Sequence, residues 1–312
     1  MSIIENALNK LGAKSTPEAP SPVTEPVNLV EQAAAKAKAV AAQTSPSPAP
    51  APSTTPYPAA DDQVSRQVHI DLALLRARGL LTSDDERSQV AEEYRLIKRP
   101  ILANAFGANP VRKGNMVMVT SSLPGEGKTF STINLAISIA MEMDRTVLLV
   151  DADVAKPRLP EYLGFNAEHG LLDILRQGTQ DLSNAILRTN IDKLAILPAG
   201  RTYARATELL SSDAMHRLVD DLASRYPDRL VLFDSPPLLA TSESSVLAAH
   251  MGQIVMVVEA DKTPQAALRD AMARIEGACD VVGIILNKAT GRNSGGYYYY
   301  GNYGYGGYAK QA

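Results

Sequence analysis

The sequence predicts a three-layer α/β fold with a mostly parallel central sheet, and three observations support this prediction. Six apolar runs rich in β-branched residues alternate with helix-like segments between residues 64 and 292. Such runs are typical of strands that helices cover on both faces. A glycine-bearing loop joins the first of these strands to a helix-like segment, and acidic residues end two others. In this class of fold we expect a ligand site at the carboxyl ends of the strands.

The individual elements follow from the same alternation of apolar runs and helix-like segments. Strands are predicted at residues 116–120, 146–150, 194–197, 230–233, 253–258 and 281–286. Helices are predicted at residues 129–143, 171–176, 208–225, 243–249 and 265–277.

The chain divides into four zones. For residues 1–12 the pattern predicts a short amphipathic helix with apolar residues on one face. The predicted folded domain comprises residues 64–292. Residues 13–63 are a Pro/Ala-rich linker, which we expect to be disordered because it cannot bury enough apolar surface to offset its ordering entropy. Residues 293–312 are a flexible tail rich in tyrosine and glycine, with seven of the chain's 12 tyrosines.

The composition is that of a globular protein and excludes several functional classes. Of the 312 residues 45% are hydrophobic and 21% are charged, and the formal net charge of -3 gives no reason to expect a nucleic-acid partner. The single cysteine, Cys279, excludes a disulfide framework and fits a reducing cytoplasm. No apolar run approaches the roughly 20 residues of a membrane span. The four scattered histidines predict no metal cluster of His and Cys.

The loop from Ser121 to Thr129 has the pattern of a phosphate-binding loop and predicts a P-loop NTPase fold. Gly125 and Gly127 leave the backbone unobstructed, so that several N–H groups at a helix N-terminus can point at one anion. Lys128 would reach the β and γ phosphates of ATP, and the Thr129 hydroxyl would bind Mg²⁺. Ser122 stands where the usual pattern has its first glycine. The residues predicted to bind the nucleotide here are Pro124, Gly125, Glu126, Gly127, Lys128, Thr129 and Phe130.

Three aspartates end two of the predicted strands. Asp151 and Asp153 follow the strand at 146–150, and Asp234 follows the strand at 230–233. One carboxylate at such a position can accept a proton from an attacking hydroxyl, and another can hold a metal or its bound water. We predict that Asp151 accepts the proton of the attacking hydroxyl, and that Asp153, Asp234 and Thr129 hold Mg²⁺.

Together these motifs resemble the bacterial tyrosine kinases of exopolysaccharide and capsule synthesis, most closely the autokinases linked to exosortase-type loci. The resemblance covers about residues 88–288, the tail and the first eight residues. It implies that Glu92, Arg95 and Lys98 lie on a helix that contacts other subunits of a ring, and that Asn287 reads the adenine edge. It also implies autophosphorylation of the tail tyrosines. These are Tyr297, Tyr298, Tyr299, Tyr300, Tyr303, Tyr305 and Tyr308.

The same resemblance implies an ATP- and Mg²⁺-dependent autokinase that regulates the chain length or export of an exopolysaccharide. Its partners would be a transmembrane activator of the polysaccharide co-polymerase type, further copies of itself and a tyrosine phosphatase. The protein would be cytoplasmic and recruited to the inner face of the membrane by its partner.

Two positions depart from the family pattern. The family has an arginine two residues after the second aspartate, where this chain has Ala155, so that Lys156 or Arg158 would have to supply the charge. Lys98 replaces an arginine of the interface motif, which removes a bidentate donor.

Two other functions stay open at the level of sequence. The first is an ATPase that positions cell components on membranes or DNA, as proteins of the MinD and ParA type do. Those proteins have a lysine early in the phosphate loop, where this chain has Leu123, and they lack a tyrosine-rich tail. The second is an adhesive tail with an incidental ATPase, because tyrosine and glycine repeats favour weak self-association.

Overall fold

The computed structural model describes residues 66–85, 88–178, 182–226 and 228–289. The predicted helix at 1–12, the linker at 13–63 and the tail at 293–312 lie outside the described residues. In the described part of the chain, no helix is both long and apolar enough to cross a membrane.

Strands and helices alternate along most of the described chain. The strands are β1 Gln67–Val68, β2 Met116–Ser121, β3 Thr146–Asp151, β4 Leu187–Thr189, β5 Leu194–Leu197, β6 Arg229–Asp234, β7 Gln253–Glu259 and β8 Val281–Asn287. The helices are α1 Leu72–Ala77, α2 Gln89–Phe106, α3 Lys128–Ala140, α4 Leu159–Leu163, α5 Leu171–Gln177, α6 Ala206–Leu210, α7 Asp213–Arg225, α8 Glu243–Ala248 and α9 Gln265–Ala273.

The strands form one sheet in the order β1-β4-β5-β3-β6-β2-β7-β8. All neighbouring strands are parallel except β4 and β5, which are antiparallel. Successive residues of a strand point to opposite faces, so β2 contributes Met116 and Met118 to one hydrophobic cluster and Val117 and Val119 to the other. Helices α5 to α9 pack on the first face and α1 to α4 on the second. The predicted three-layer architecture is confirmed.

The register of the central strands brings their carboxyl ends together. Asp234 of β6 lies opposite Asp151 of β3 on one side and opposite Val119 of β2 on the other. On the far side of β2, Ser121 lies opposite Val257 of β7. The phosphate loop and the acidic strand ends therefore meet at the same edge of the sheet.

The structure also contains short elements that the apolar pattern did not predict, namely β1, β4, α1 and α4. Each has six residues or fewer, which is too short for a clear period. The predicted helix at 208–225 is divided into α6 and α7. The division occurs because the Ser212 hydroxyl accepts the Met215 N–H (3.4 Å) and begins a new helix.

Strand β8 differs from the expectation that every strand is covered on both faces. Within the described ranges it is the last strand in the sheet order and pairs only with β7. Ile284 and Leu286 are 57% and 62% exposed. An apolar run shows that a segment favours a strand, but it does not show whether the strand lies at the centre or the edge of the sheet.

Candidate active site

The phosphate loop connects β2 to the N-terminus of α3. Gly125 (φ +88°) and Gly127 (φ +96°) adopt left-handed conformations that are unfavourable for residues with a side chain, and Gly127 is the N-cap of α3. A Cβ on Gly127 would lie 2.0 Å from Asn287 Nδ2, so there is no room for a side chain. The first N–H groups of a helix have no partner within it, and α3 therefore presents anion-binding donors at this loop.

Lys128 lies among the carboxylates at the ends of β3 and β6. Its Nζ atom is 2.6 Å from Asp153 Oδ2 and 3.7 Å from Asp234 Oδ1, and the residue is buried. Burial opposes the charged form of Lys128, but the carboxylates of Asp234 and Asp153 outweigh burial and raise its pKa. The ammonium group is therefore a permanent positive charge in the site.

Asp234 is fully buried and is held by two threonines of α3. The Thr129 hydroxyl donates to Asp234 Oδ2 (2.7 Å), and the Thr132 hydroxyl lies 3.4 Å from Asp234 Oδ1. Burial raises the pKa of Asp234 despite the nearby Lys128 ammonium. Thr132 was not among the predicted site residues. Its spacing of three from Thr129 places both on one face of α3 and is the signal that would have identified it.

Asp151 and Asp153 occupy different environments although only one residue separates them. Asp151 is fully buried and its Oδ2 atom accepts the Leu159 N–H (3.1 Å), whereas its Oδ1 atom has no hydrogen-bond partner among the described residues. Burial and the Asp234 carboxylate raise the pKa of Asp151 well above its ordinary value. Asp153 Oδ1 accepts the Lys156 N–H (3.2 Å), and its Oδ2 atom pairs with Lys128.

The site has more acidic than basic side chains, and this suits a cation. Among the described residues, three buried carboxylates face one ammonium group, and one carboxylate oxygen of Asp151 has no hydrogen-bond partner. Within the described ranges, no three His, Cys, Asp or Glu side chains form a metal cage by themselves. Mg²⁺ is usually held by one or two carboxylates together with substrate phosphates. The residues present therefore fit Mg²⁺ that binds together with a nucleotide.

The other predicted nucleotide ligands surround the loop. Pro124 and Gly125 are exposed, and Phe130 is half-buried. Both carboxylate oxygens of Glu126 accept hydrogen bonds from this chain, and Asn287 Nδ2 donates to Glu126 O (2.8 Å). Asn287 thus lies beside the loop, and adenine recognition by its amide stays a prediction.

The residues of the predicted oligomer interface lie on α2 but differ in their exposure and contacts. The Glu92 and Arg95 side chains are 57% and 36% exposed and form an ion pair with each other. Lys98 is buried, and its Nζ atom is 2.6 Å from both Ser138 O and Glu142 Oε1. Lys98 therefore joins α2 to α3 within one chain, while the subunit contact stays a prediction.

The two candidates for the family's missing arginine differ in their contacts. The Arg158 guanidinium forms an ion pair (3.3 Å) with Glu161 of α4. Lys156 is exposed next to the site. The predicted tail tyrosines lie outside the described residues.

Comparison with known proteins establishes the family. Residues 114–282, more than half of the chain, match the family model described as an AAA domain. The tyrosine-protein kinase YwqD of Bacillus subtilis (strain 168) is 30% identical over 227 residues, which cover 72% of this chain and 92% of YwqD. The chain belongs to the bacterial tyrosine kinase family. Membership of this family, together with the phosphate loop, implies the use of ATP.

Other members of the bacterial tyrosine kinase family support the fold. The solved VpsO kinase domain is 31% identical with a TM-score of 0.55, and the match covers 64% of this chain and 96% of that one. The predicted P-loop NTPase fold is confirmed. EpsB of Ralstonia solanacearum and the tyrosine-protein kinase Wzc of Salmonella typhimurium are 35% and 34% identical over 61% and 60% of this chain. The chain spans only 25% and 26% of the length of these two relatives.

Proposed function

We propose that this chain is an ATP-dependent protein-tyrosine autokinase of polysaccharide biosynthesis that phosphorylates its own C-terminal tyrosines. The observation that supports this best is the meeting of Lys128 with three aspartates at the phosphate loop, in a chain 30% identical to YwqD. The proposed acceptors are Tyr297, Tyr298, Tyr299, Tyr300, Tyr303, Tyr305 and Tyr308.

The binding step follows from the contacts of Lys128. Its ammonium group would exchange the Asp153 carboxylate for the β- and γ-phosphate oxygens of ATP, because both partners are anions within reach of the same side chain. This exchange frees Asp153 Oδ2. Asp153, Asp234 and Thr129 would then hold Mg²⁺, directly or through water. When bound, Mg²⁺ neutralises charge on the phosphates.

The transfer step requires a group that takes the proton of the incoming tyrosine hydroxyl. We assign this role to Asp151, because its Oδ1 atom has no hydrogen-bond partner in the part of the chain that the structure describes and its pKa is raised. The tyrosine oxygen would form a bond to the γ-phosphorus of ATP while the bond from that phosphorus to the ADP oxygen breaks, so that ADP leaves. Lys128 would stabilise the charge on the phosphoryl group during this transfer. Most of the rate enhancement would come from positioning and from these fixed charges.

The family also suggests the cellular setting of the kinase. We propose a transmembrane activator of the polysaccharide co-polymerase type, which would recruit the chain from the cytoplasm to the inner face of the membrane. Copies of the chain would form a ring through Glu92, Arg95 and Lys98, and a tyrosine phosphatase would reverse the modification. Tail phosphorylation would regulate polysaccharide chain length or export, and an association with exosortase-type loci belongs to this proposal.

The first test compares wild type with Lys128→Met after incubation with Mg²⁺ and ATP, followed by mass spectrometry of the C-terminal peptide. We expect phosphate on Tyr297 to Tyr308 in the wild type only. The melting temperature of each protein shows whether the variant is folded. ATP hydrolysis without tail phosphate, with a membrane activator present, would contradict the kinase and favour a positioning ATPase. If the tail were merely adhesive, Lys128→Met would leave self-association unchanged and the wild-type tail would carry no phosphate.

A second test concerns the proton acceptor. Asp151→Asn preserves the size of the side chain and its contact with the Leu159 N–H, but it removes the basic oxygen. General-base catalysis typically contributes about 10²- to 10⁴-fold. We therefore expect single-turnover transfer to the tail to slow by about 100-fold or more, with ATP affinity unchanged. A rate within threefold of wild type would exclude Asp151 as the base.

A further inference from the structure

The phosphate loop is held from outside by side chains that lie at the ends of β7 and β8. We use the term loop clamp for Glu126 of the phosphate loop together with Glu259, Thr263 and Lys288. Glu259 ends β7, Thr263 lies in the connection from β7 to α9, and Lys288 directly follows β8. The loop clamp contacts the loop on the side of β7 and β8, away from the strands that carry the site aspartates.

Glu126 forms the centre of the loop clamp. It is only 2% exposed although it lies in a surface loop. Its Oε2 atom accepts the Leu123 N–H (2.7 Å) across the turn, and its Oε1 atom accepts the Thr263 hydroxyl. Hydrogen bonds to a charged acceptor are about twice as strong as those between neutral groups. The carboxylate thus fixes the turn internally and attaches it to the β7–α9 connection.

Thr263 and Lys288 extend these contacts to both strand ends. The Thr263 hydroxyl oxygen also accepts the Glu259 N–H (3.1 Å). The Lys288 ammonium donates to Gly125 O (2.8 Å) and pairs with Glu259 Oε2 (3.0 Å). Lys288 holds this position with φ +57°, a left-handed conformation that is unfavourable for a lysine and that the surrounding contacts must maintain.

The loop clamp restricts the conformational freedom that the glycines give the phosphate loop. Gly125 and Gly127 permit the loop to bind an anion through its backbone, but they also give the free loop many alternative conformations. A binding site that must be ordered by its ligand loses affinity, whereas a preorganised one does not. Three hydrogen bonds restrict the loop. Glu126 accepts the Leu123 N–H and the Thr263 hydroxyl, and Gly125 O accepts the Lys288 ammonium.

We propose that Glu126, Thr263 and Lys288 are positioning residues that preset the phosphate loop for the polyphosphate of the nucleotide. This inference rests on the proposed nucleotide site and adds to it. The Glu126 carboxylate acts on the loop, because both of its oxygens accept hydrogen bonds from the protein. Thr263 acts through Glu126, and Lys288 acts through the Gly125 carbonyl.

The experiment measures the affinities of ADP and adenosine by competition against a fluorescent ADP analogue. Thr263→Val removes the hydroxyl at nearly constant volume, and Thr263→Ser retains it. We expect Thr263→Val to weaken ADP binding by about 10- to 150-fold, the full strength of a hydrogen bond to a charged group, and to leave adenosine binding within about twofold. Thr263→Ser should restore the wild-type affinity for ADP. Lys288→Met should also weaken the binding of ADP and leave the binding of adenosine unaffected.

Thr189→Val is the matched control. It makes the same chemical change in β4 at the other side of the sheet, where the hydroxyl contacts Ile191 O (3.0 Å) and Leu194 O (2.9 Å). We expect it to lower the melting temperature and to leave ADP affinity within twofold. Equal losses of ADP and adenosine affinity in Thr263→Val, or failure of Thr263→Ser to restore binding, would overturn the proposal.

Hydrogen exchange without nucleotide separates this proposal from the proposed function. Amides of residues 122–128 should exchange faster in Thr263→Val than in wild type or Thr263→Ser, whether or not the chain transfers phosphate. Unchanged exchange in these amides would overturn the proposed role of the loop clamp even if the chain proved to be a kinase. Faster exchange would support it even if no tyrosine were phosphorylated.

Discussion

Asp173 in the first turn of α5 shows how one buried carboxylate fixes the loop that follows β5. Its Oδ2 atom accepts the Gly170 N–H (3.0 Å) and the Arg201 N–H (3.2 Å), and its Oδ1 atom accepts the Tyr203 hydroxyl (2.9 Å). Burial alone would raise the pKa of Asp173, but the hydrogen bonds from Tyr203, Arg201 and Gly170 outweigh burial and lower it. The ionised form is therefore the one that stabilises the fold.

Asp173→Asn tests this at the scale of a residue. The variant replaces a charged acceptor by a neutral one, and we expect it to lower the free energy of unfolding by about 1–2 kcal/mol at pH 7. Because the folded pKa lies below the unfolded value of 3.8, the contribution of the charge is constant above about pH 5 and is lost as the pH falls below about 4. Urea unfolding of both proteins across this range measures the difference. A difference that does not shrink as the pH falls from about 5 to about 3 would show that the charge is not its source.

At the scale of elements, Lys98 of α2 acts as a cap for the C-terminus of α3. The last carbonyls of a helix have no helical donor, and Lys98 Nζ donates to one of them, Ser138 O (2.6 Å). The cation also interacts favourably with the negative end of the helix dipole and pairs with Glu142. A position that the family resemblance assigns to subunit contact thus already stabilises a single chain.

Lys98→Met and Glu92→Gln separate folding from assembly. We expect Lys98→Met to lower the free energy of unfolding by about 1–3 kcal/mol, because it leaves the buried Ser138 carbonyl without this donor. Glu92→Gln removes an exposed ion pair and should cost less than about 1 kcal/mol. Urea unfolding at a concentration at which the chain is monomeric measures both. Equal, small effects would show that Lys98 does not stabilise the single chain.

At the scale of the whole molecule, the sheet gathers distant segments of the chain at one edge. Thr129 and Asp234 are 105 residues apart in sequence, and Glu126 and Thr263 are 137 apart, yet each pair forms a hydrogen bond. The order β3-β6-β2-β7-β8 produces this, because parallel neighbours end at the same edge. The site aspartates lie on the β3 and β6 side of the loop, and the loop clamp lies on the β7 and β8 side.

The proposed function makes a prediction about assembly. Each tyrosine phosphate adds about -1.5 to -2 charges, and seven of them in the tail would repel one another and a chain whose formal net charge is already -3. We expect progressive phosphorylation to loosen the oligomer. Analytical ultracentrifugation of fully phosphorylated and unmodified protein measures this, and an identical oligomer in both would contradict it. A Tyr-to-Phe variant of all seven tail positions, incubated with ATP, is the control.

Sequence alone determined those parts of the protein that depend on short-range pattern. The phosphate loop between β2 and α3, and the aspartates that end β3 and β6, are recognisable because strand, loop and helix follow one another within a few residues. The six principal strands and the three-layer fold follow from apolar runs of the same kind. These predictions needed no knowledge of distant contacts.

Only the tertiary structure decided which partners these residues have. It pairs Lys128 with Asp153 and, among the residues described, leaves Asp151 Oδ1 without a hydrogen-bond partner. It brings Lys98 into contact with α3 and places Thr263 and Lys288 against the phosphate loop. It also makes β8 an edge strand with apolar side chains exposed. Each of these features depends on which segments the sheet order makes neighbours, and the local sequence of a segment contains no signal for the neighbour it will have.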